Sequence, residues 1–496
     1  YRVIYEGDGA KISAAEDIGG WESYSGNIYR TYIGEGKSVD VITENGELST
    51  KARFPNEGYL YSTQGDKNSF SYAEDIPSVS DISQTEAYLW GGGGNAWAAD
   101  CIRVSAWEDK TVSLESSASY AMSANSRFFV QGALEFLDSP GEFAYCDGYL
   151  YYYPKNLPIA EQNIRLAKDS TPVKFSGSSK SNPVRNIELL NLEFCETGRS
   201  ANAIGMTNCE NIKISGCKFK NIGKNAVYMS DYAAANRIVN CSMTDIGASG
   251  VAMSNRSDGA ETLSMNGRQN EVINCEIENF GVFDGGASGI GINTGYNTVK
   301  NCLIHGGRRM GISVGSSRPG TLIGKTVDGT YITRENVRLA THSQNNIIMF
   351  CDIYDVMRDS QDGGAVYAWG ADHDNVIAYN HIHDTCSPFS FAFGIYIDDG
   401  SDGFTIKNNI VDFMNSYKDG SVYSAIFTKG TDNKVYNNIL ANNGAQYAFM
   451  SETMVSEPCD NLEYERNIAY NSGDKMYLHK SYSEDRIKSA EKNVYY

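Results

Sequence analysis

The residues best placed to do chemistry in this chain are aspartates set beside glycines. Asp355 and Asp362 lie in one stretch that also holds Arg358, Asp359, Gly363 and Gly364. Two carboxyl groups held close together repel, so one keeps its proton and can act as an acid while the other carries the charge. Cleavage of a glycosidic bond requires this division of labour. A second pair, Asp398 and Asp399, precedes Gly400. Adjacent residues of an extended chain point to opposite faces, so one of the two is expected to project outward. Counting by repeat sets this pair beside Ala368-Trp369 on one side and Thr428-Lys429 on the other. Asp362 with Asp398 or Asp399 is therefore the alternative catalytic pair. Glu142, in Pro140-Gly141-Glu142, reads as a turn residue. The chain carries 61 acidic residues, so location has to decide between them.

Further polar and aromatic residues in the same part of the chain are candidates for holding a substrate: Asn293, His305, Arg308, Arg309, Tyr367, Trp369, His373 and His383. Trp369 offers a flat apolar face for the C–H side of a sugar ring. Five of the six histidines fall between 305 and 383. Hydrolysis by two carboxyls needs no cofactor, and neither a metal nor a structural calcium is specified by any spacing.

These residues are positioned by a repeat. From about residue 185 a phrase recurs in which Asn-Cys or Asn-Asn precedes an aliphatic, as in Asn240-Cys241-Ser242-Met243, Asn274-Cys275-Glu276-Ile277 and Asn408-Asn409-Ile410. Aligned two residues before the aliphatic, the instances are 217, 241, 275, 302, 351, 380, 408, 437 and 466. Their spacing runs from 24 to 49 residues and settles at 28 or 29 after 351. A second phrase follows, as in Gly289-Ile290-Gly291-Ile292 and Gly394-Ile395-Tyr396-Ile397, and a third precedes, as in Asn433-Lys434-Val435-Tyr436. Short alternating strands divided by Gly, Asn and Asp turns, without helical periodicity, specify a solenoid of β-coils. The expected fold is all-β, a right-handed parallel β-helix over 185–496. Cys217, Cys241, Cys275, Cys302 and Cys351 share one column, read as buried thiols continued by Asn380, Asn408 and Asn437. Four residues beyond that column stand Asp245, Asn279, Asp355, Asp384 and Asp412, so Asp355 also fits a corner ladder.

The first 184 residues lack this period. Residues 1–60 read as opening coils with a small β excursion, and 61–184 as an inserted β and loop region. Tyr88 to Trp97 encloses four glycines between aromatics and reads as a surface or substrate-capping loop. Asp147-Gly148 between aromatic runs is a hairpin signal.

Composition removes several classes. The formal charge is −19 with no cationic run, which disfavours nucleic acid, since phosphate neutralisation needs clustered Lys and Arg. No apolar run approaches the ~20 residues of a membrane span. Tyr1 to Tyr5 is already strand-like, so a leader is expected to have been removed, with an extracellular or cell-surface location. The 11 cysteines form no CxxC set. An oligosaccharide is the expected partner, and long solenoids sometimes need a folding partner for their end coils.

The segments KARFPNEG (51–58), LDSPGEFAYCDGYLYYYP (137–154), DVMRDSQDGGAVYAWG (355–370) and GIYIDDG (394–400) resemble bacterial right-handed β-helix glycosidases. The resemblance is nearest to glycoside hydrolase family 136, the lacto-N-biosidases, with families 141 and 120 as relatives in architecture. It spans essentially the whole chain. It implies an exo-acting, retaining hydrolase that releases lacto-N-biose from lacto-N-tetraose, with Asp355 as acid/base and Asp362 as nucleophile. Kinship with families 141 and 120 implies α-fucosidase or xylosidase/xylanase activity instead. Two other classes remain open: a polysaccharide lyase, for which Arg308-Arg309 would supply the base, and a non-catalytic glycan-binding β-helix.

Overall fold

The computed structural model describes residues 2–94, 97–254, 267–315, 317–327, 329–415, 420–453, 458–480 and 486–496. It is a right-handed parallel β-helix. Each coil contributes one strand to each of three parallel sheets, and each sheet holds twelve strands among the described residues. In one coil Ile347–Met349 belongs to the first sheet, Asp352–Tyr354 to the second and Gly364–Trp369 to the third. In the next coil Val376–Ala378, His381–His383 and Phe393–Ile397 stack on these in turn. Alternation drives the closure. Ile348, Ile353, Val366 and Ala368 point inward and are buried, as are Ile377, Ile382, Ile395 and Ile397 one coil on, while the residues between them face outward.

The tight corner between the first and second sheets fixes the register. Asn240, Asn274, Asn301, Asn408 and Asn437 occupy a left-handed conformation there, with φ between 51° and 56°, which Asn tolerates better than most residues. The residue after each points inward. Cys241, Cys275 and Cys302 donate their thiols to carbonyls of the coil below, at 3.5–3.7 Å. From Cys351 onward the ladder is Asn380, Asn409, Asn438 and Asn467. The Asn409 amide nitrogen donates to Asn438 Oδ1 and to the Ile377 carbonyl, both at 3.0 Å. This corrects the alignment given above. Asn408 and Asn437 belong to the outer column, and their successors Asn409 and Asn438 carry the inward slot. Ile410, Ile439 and Ile468 are accordingly more than 40% exposed, and Val411, Leu440 and Ala469 take the core positions. All 11 cysteines are free thiols.

Repeats of unequal length differ by insertions. The long repeat between Cys302 and Cys351 admits a helical turn, Pro319–Leu322, and a hairpin of Thr326–Val327 with Thr330–Tyr331. Residues 255–266 of another long repeat lie outside the described residues.

The N-terminal boundary differs from the sequence reading. Val3–Glu6 and Lys11–Ser13 pair directly with Ile187–Leu190 and Glu193–Thr197 of the helix. The small excursion read within 1–60 begins at Ala15 and is one body with the inserted region 61–184, because Glu22–Ser25 and Ile28–Tyr32 share a sheet with Tyr149–Tyr152. Three sheets of seven, five and four strands make up this body. The Asp147-Gly148 hairpin forms between Glu142–Cys146 and Tyr149–Tyr152. Glu142 closes a turn by accepting the backbone N–H groups of Asp138 and Ser139. The segments 51–58 and 137–154 brace one another, since Asn56 donates to Asp138 and to the Ser139 hydroxyl, both at 2.7 Å. The Tyr88–Trp97 loop, of which residues 95 and 96 lie outside the described residues, packs at its start: Tyr88 and Trp90 are buried, and the Tyr88 hydroxyl accepts the N–H of Gly285 at 2.7 Å.

Arg127 locks the excursion to the helix. It donates to Asp359 Oδ1 at 2.7 Å and to the Asp359 carbonyl at 2.5 Å, with its guanidinium 3.7 Å from the Trp90 ring centre. Tyr59 adds a short hydrogen bond to the same carboxylate. Asp359 lies in the loop that delivers Asp362.

Replacing Asn409 by Ala strands the Asn380 N–H and the Ile377 carbonyl in the core, at about 1–3 kcal/mol for each orphaned group. We expect a loss of about 2–6 kcal/mol in equilibrium denaturation. Asn409→Cys, which restores the thiol donor used lower in the same column, should lose less.

Candidate active site

The third sheet presents its strand ends as rows, because consecutive coils lie about 4.8 Å apart. Ile292 pairs with Val314, Gly315 with Trp369, Ala368 with Ile397, and Ile397 with Thr428. The next outward residues therefore form the row Asn293, Gly315, Trp369, Asp398 and Lys429. One step inward along the strands stand Gly291, Ser313, Tyr367, Tyr396 and Phe427. Asp398 sits opposite Trp369 and Lys429, one residue away from the register read from the sequence. Gly and Ser at 291, 313 and 315 leave a depression against Tyr367 and Trp369. Trp369 is 38% exposed and flanked by the Arg318 guanidinium, 5.4 Å from its ring.

Asp398 is the focus of the row. Its Oδ2 accepts the Tyr367 hydroxyl at 2.9 Å, and its Oδ1 accepts the Tyr396 hydroxyl at 2.9 Å and Lys429 Nζ at 2.8 Å. Only 8% of Asp398 is exposed. Lys429 Nζ also lies 3.2 Å from Asp399 Oδ1. Both acids thus reach the same ammonium instead of opposite faces, because the chain turns at Gly400 with φ of 67°. Burial pulls the Lys429 pKa down, but the charges of Asp398 and Asp399 outweigh it and raise it, so the group stays an ammonium. Burial and Asp398 push both tyrosines well above their ordinary range, which keeps them as hydroxyl donors. Asp399 is also raised, by burial first.

Asp362 enters this site from the loop that leads into Gly364–Trp369. It takes a left-handed φ of 56°, and its N–H donates to the Phe391 carbonyl at 3.0 Å. Burial, then the Asp398 charge, raise its pKa against the opposing pull of Lys429, Arg309 and a hydrogen bond with Tyr396. Two carboxyl groups of different character thus face one depression: one surrounded by three donors, the other held toward its protonated form. Arg309 is the third cation. Its Nε is fully buried without a hydrogen-bond partner, and burial lowers its pKa against Tyr367 and Asp362.

Other residues singled out from the sequence lie elsewhere. Asp355 stands in the left-handed corner column with Asp245, Asn279 and Asp384, at φ of 42–57°. It faces Arg358 at 3.6 Å and is not among the charges acting most strongly on Asp362. The short sequence separation from Asp362 spans the turn between two sheets, so the structure brings Asp398 to Asp362 instead. Asp412 leaves the corner column, which Phe413 completes (φ 45°). His305 and His383 belong to the second sheet, where Tyr354 is stacked between them at 4.8 Å from each. His373 pairs with Asp372 and lines a separate cavity of about 470 Å³ with Arg338 and Asp432. Arg308 faces the cleft between excursion and helix, beside Phe129 and Arg199. Tyr396 and Lys429 were not singled out as site residues. Their column positions, one coil from Tyr367 and Asp398, are the signal that finds them.

A model of the right-handed β-helix region matches residues 263–445. No curated protein sequence matches the chain. Among solved structures, one described as a glycoside hydrolase superposes with a TM-score of 0.64 at 15% identity, over 87% of this chain and 82% of the other. A complex of XylC with xylose aligns with a TM-score of 0.42 at 11% identity, over 97% and 77% of the two chains. An alginate lyase from Paenibacillus sp. aligns with a TM-score of 0.37 at 14% identity, over 64% and 89%. At these identities the likeness is one of fold.

Holding Asp362 charged in this site costs folding free energy. Because its folded pKa is raised, that cost is absent below the unfolded value near 3.9 and grows as pH rises through the folded value. Asp362→Asn should therefore raise Tm at pH 7, with the gain shrinking toward pH 4 in calorimetric scans.

Proposed function

We propose that this protein is a glycoside hydrolase in which Asp362 is the general acid and Asp398 the anionic partner. The observation that carries the reading is the convergence of Tyr367, Tyr396 and Lys429 on Asp398, beside a carboxyl whose pKa burial and Asp398 raise. Asp362 donates its proton to the departing glycosidic oxygen. Asp398, oriented by its three donors, attacks the anomeric carbon. Lys429 and Arg309 balance the carboxylate charges of the resting site, Asp398 supports the positive charge that develops at the anomeric carbon, and Trp369 receives a sugar face above the depression. Asp399 lies against Lys429, within reach of a sugar hydroxyl. Asp362, now a carboxylate, then takes a proton from a water that displaces Asp398 from the anomeric carbon, so two successive inversions retain the configuration and return both carboxyls to their starting states.

The specific reaction we assign is release of lacto-N-biose from lacto-N-tetraose. The support is the resemblance carried by 355–370 and 394–400, the two segments that contain Asp362, Tyr367, Trp369, Tyr396, Asp398 and Asp399. Thin-layer analysis against lacto-N-tetraose, fucosylated glycans and xylo-oligosaccharides checks it, and release from either of the last two alone would move the assignment to another glycosidase.

The acid's role has a separate signature. On a natural oligosaccharide, Asp362→Asn should slow cleavage about 100- to 10,000-fold, the usual contribution of a positioned acid. On a nitrophenyl glycoside, whose leaving group needs no proton, the loss should be far smaller, whereas Asp398→Asn should abolish turnover of both. Equal losses on both substrates in Asp362→Asn would remove the acid assignment. Unchanged cleavage in both variants would overturn the Asp362–Asp398 assignment, and absence of cleavage of every glycan by the wild type would leave a glycan-binding protein.

Arg309 supports a second reading. A buried arginine with a lowered pKa beside a tyrosine is the kind of group that takes a proton in β-elimination, and a lyase product absorbs in the ultraviolet where a hydrolysis product does not. Lys429 does not serve that role, because two carboxylates hold it protonated.

A further inference from the structure

The geometry points to a binding site for a divalent transition-metal ion on the outer face of the second sheet, formed by Asp352, His381 and His383 and separate from the Asp362–Asp398 depression. Asp352 and His381 are directly paired across consecutive coils, as are Tyr354 and His383. Asp352 Oδ1 lies 3.3 Å from His381 Nδ1 and 3.1 Å from His383 Nε2. One donor atom from each of the three residues lies within 4.8 Å of the other two. Bonds of about 2.0–2.2 Å to imidazole nitrogen and carboxylate oxygen would bring three such atoms to the corners of one coordination shell.

The remaining ring nitrogens supply an independent indication. A metal-bound histidine usually gives its other N–H to a carboxylate, which fixes the tautomer and aims the ring. Both histidines here have that partner. His381 Nε2 lies 2.9 Å from Asp412 Oδ1, and His383 Nδ1 lies 2.5 Å from Asp384 Oδ2. Each imidazole thus turns one nitrogen to Asp352 and the other to its own acid. The rings are further held by stacking, His381 on His383 at 4.4 Å and His383 on Tyr354 at 4.8 Å. All three ligands stand on strands whose intervening residues, Ile353 and Ile382, are fully buried, so the backbone is fixed.

The donor set selects the ion. Two imidazoles and one carboxylate suit zinc, cobalt or nickel, whereas calcium takes six to eight oxygens. Asp352 and His381 keep 46% and 43% of their side-chain surface, which leaves the outer coordination positions open to water or to a ligand atom from outside.

Titration of the chelator-treated full chain with Co(II), read by visible absorption, and with zinc, read calorimetrically, tests the site. One equivalent should bind to the wild type, be lost in His381→Ala and in His383→Ala, and bind about 10- to 100-fold more weakly in Asp412→Asn, where only the orienting carboxylate is changed. Circular dichroism of each variant verifies the fold, and Asp352→Ser, on the same exposed face, supplies a further ligand deletion. Absence of stoichiometric Co(II) binding by the wild type, or binding by folded His383→Ala as tight as by the wild type, would overturn the assignment.

Discussion

The structure depends on a requirement at one corner of each coil: a backbone turned through a left-handed residue must have its polar groups satisfied inside an apolar core. The inward Asn or Cys meets it by bonding to the coil below. Asn409 joins three coils in this way, accepting from Asn380 and donating to Asn438 and to the Ile377 carbonyl. Because a buried orphan amide is costly, slippage by one residue is forbidden. Every outward row of side chains inherits that register, including the row that carries Trp369, Asp398 and Lys429.

The site also shows how local charge departs from the average. The chain as a whole is strongly acidic, yet the depression gathers Lys429, Arg309 and Arg318 around three aspartates. Lys429 is what allows Asp398 and Asp399 to coexist under burial, since two such carboxylates without a cation would drive each other toward protonation. Aromatic rings complete the arrangement: Tyr396 and Phe427 stack at 4.8 Å beneath the ammonium. A neutral sugar meets a surface whose charges are already matched, which suits binding through hydroxyls and ring faces.

The architecture was legible because the coil period repeats the same corner residues many times. Its phase was legible where a cysteine, or the lone Asn380 two residues before Ile382, marked the inward slot. At Asn408-Asn409-Ile410-Val411 two amides and two aliphatics follow one another, so the pattern alone does not say which amide is inside. That single-residue ambiguity carried over to Asp412, placed on a corner it does not occupy, whereas Asp398 was set one step from its true neighbours although Cys351 and Asn380 of its two coils were in phase. The pairing of Asp362 was hidden for a related reason. In a solenoid, residues about thirty apart in the chain are contacts, whereas residues seven apart can lie on different faces. Asp355 lies nearer in sequence, whereas Asp398 is the carboxylate whose charge acts most strongly on Asp362. Tyr396 and Lys429 have ordinary strand residues around them, and only stacking reveals that they share a carboxylate.

The first coil is built from both sides of the excursion, since Val3–Glu6 and Lys11–Ser13 lie against strands that begin only at Ile187 and Glu193. These partners stand about 180 residues further along the chain, so the pairing cannot form until the body between them has been made. The intervening body, rich in hairpins of short loop closure, can assemble in that interval, because local pairing is kinetically favoured over distant pairing. The pairing of Val3–Glu6 and Lys11–Ser13 with the chain that returns at Ile187 is thus closed over a body that is already folded.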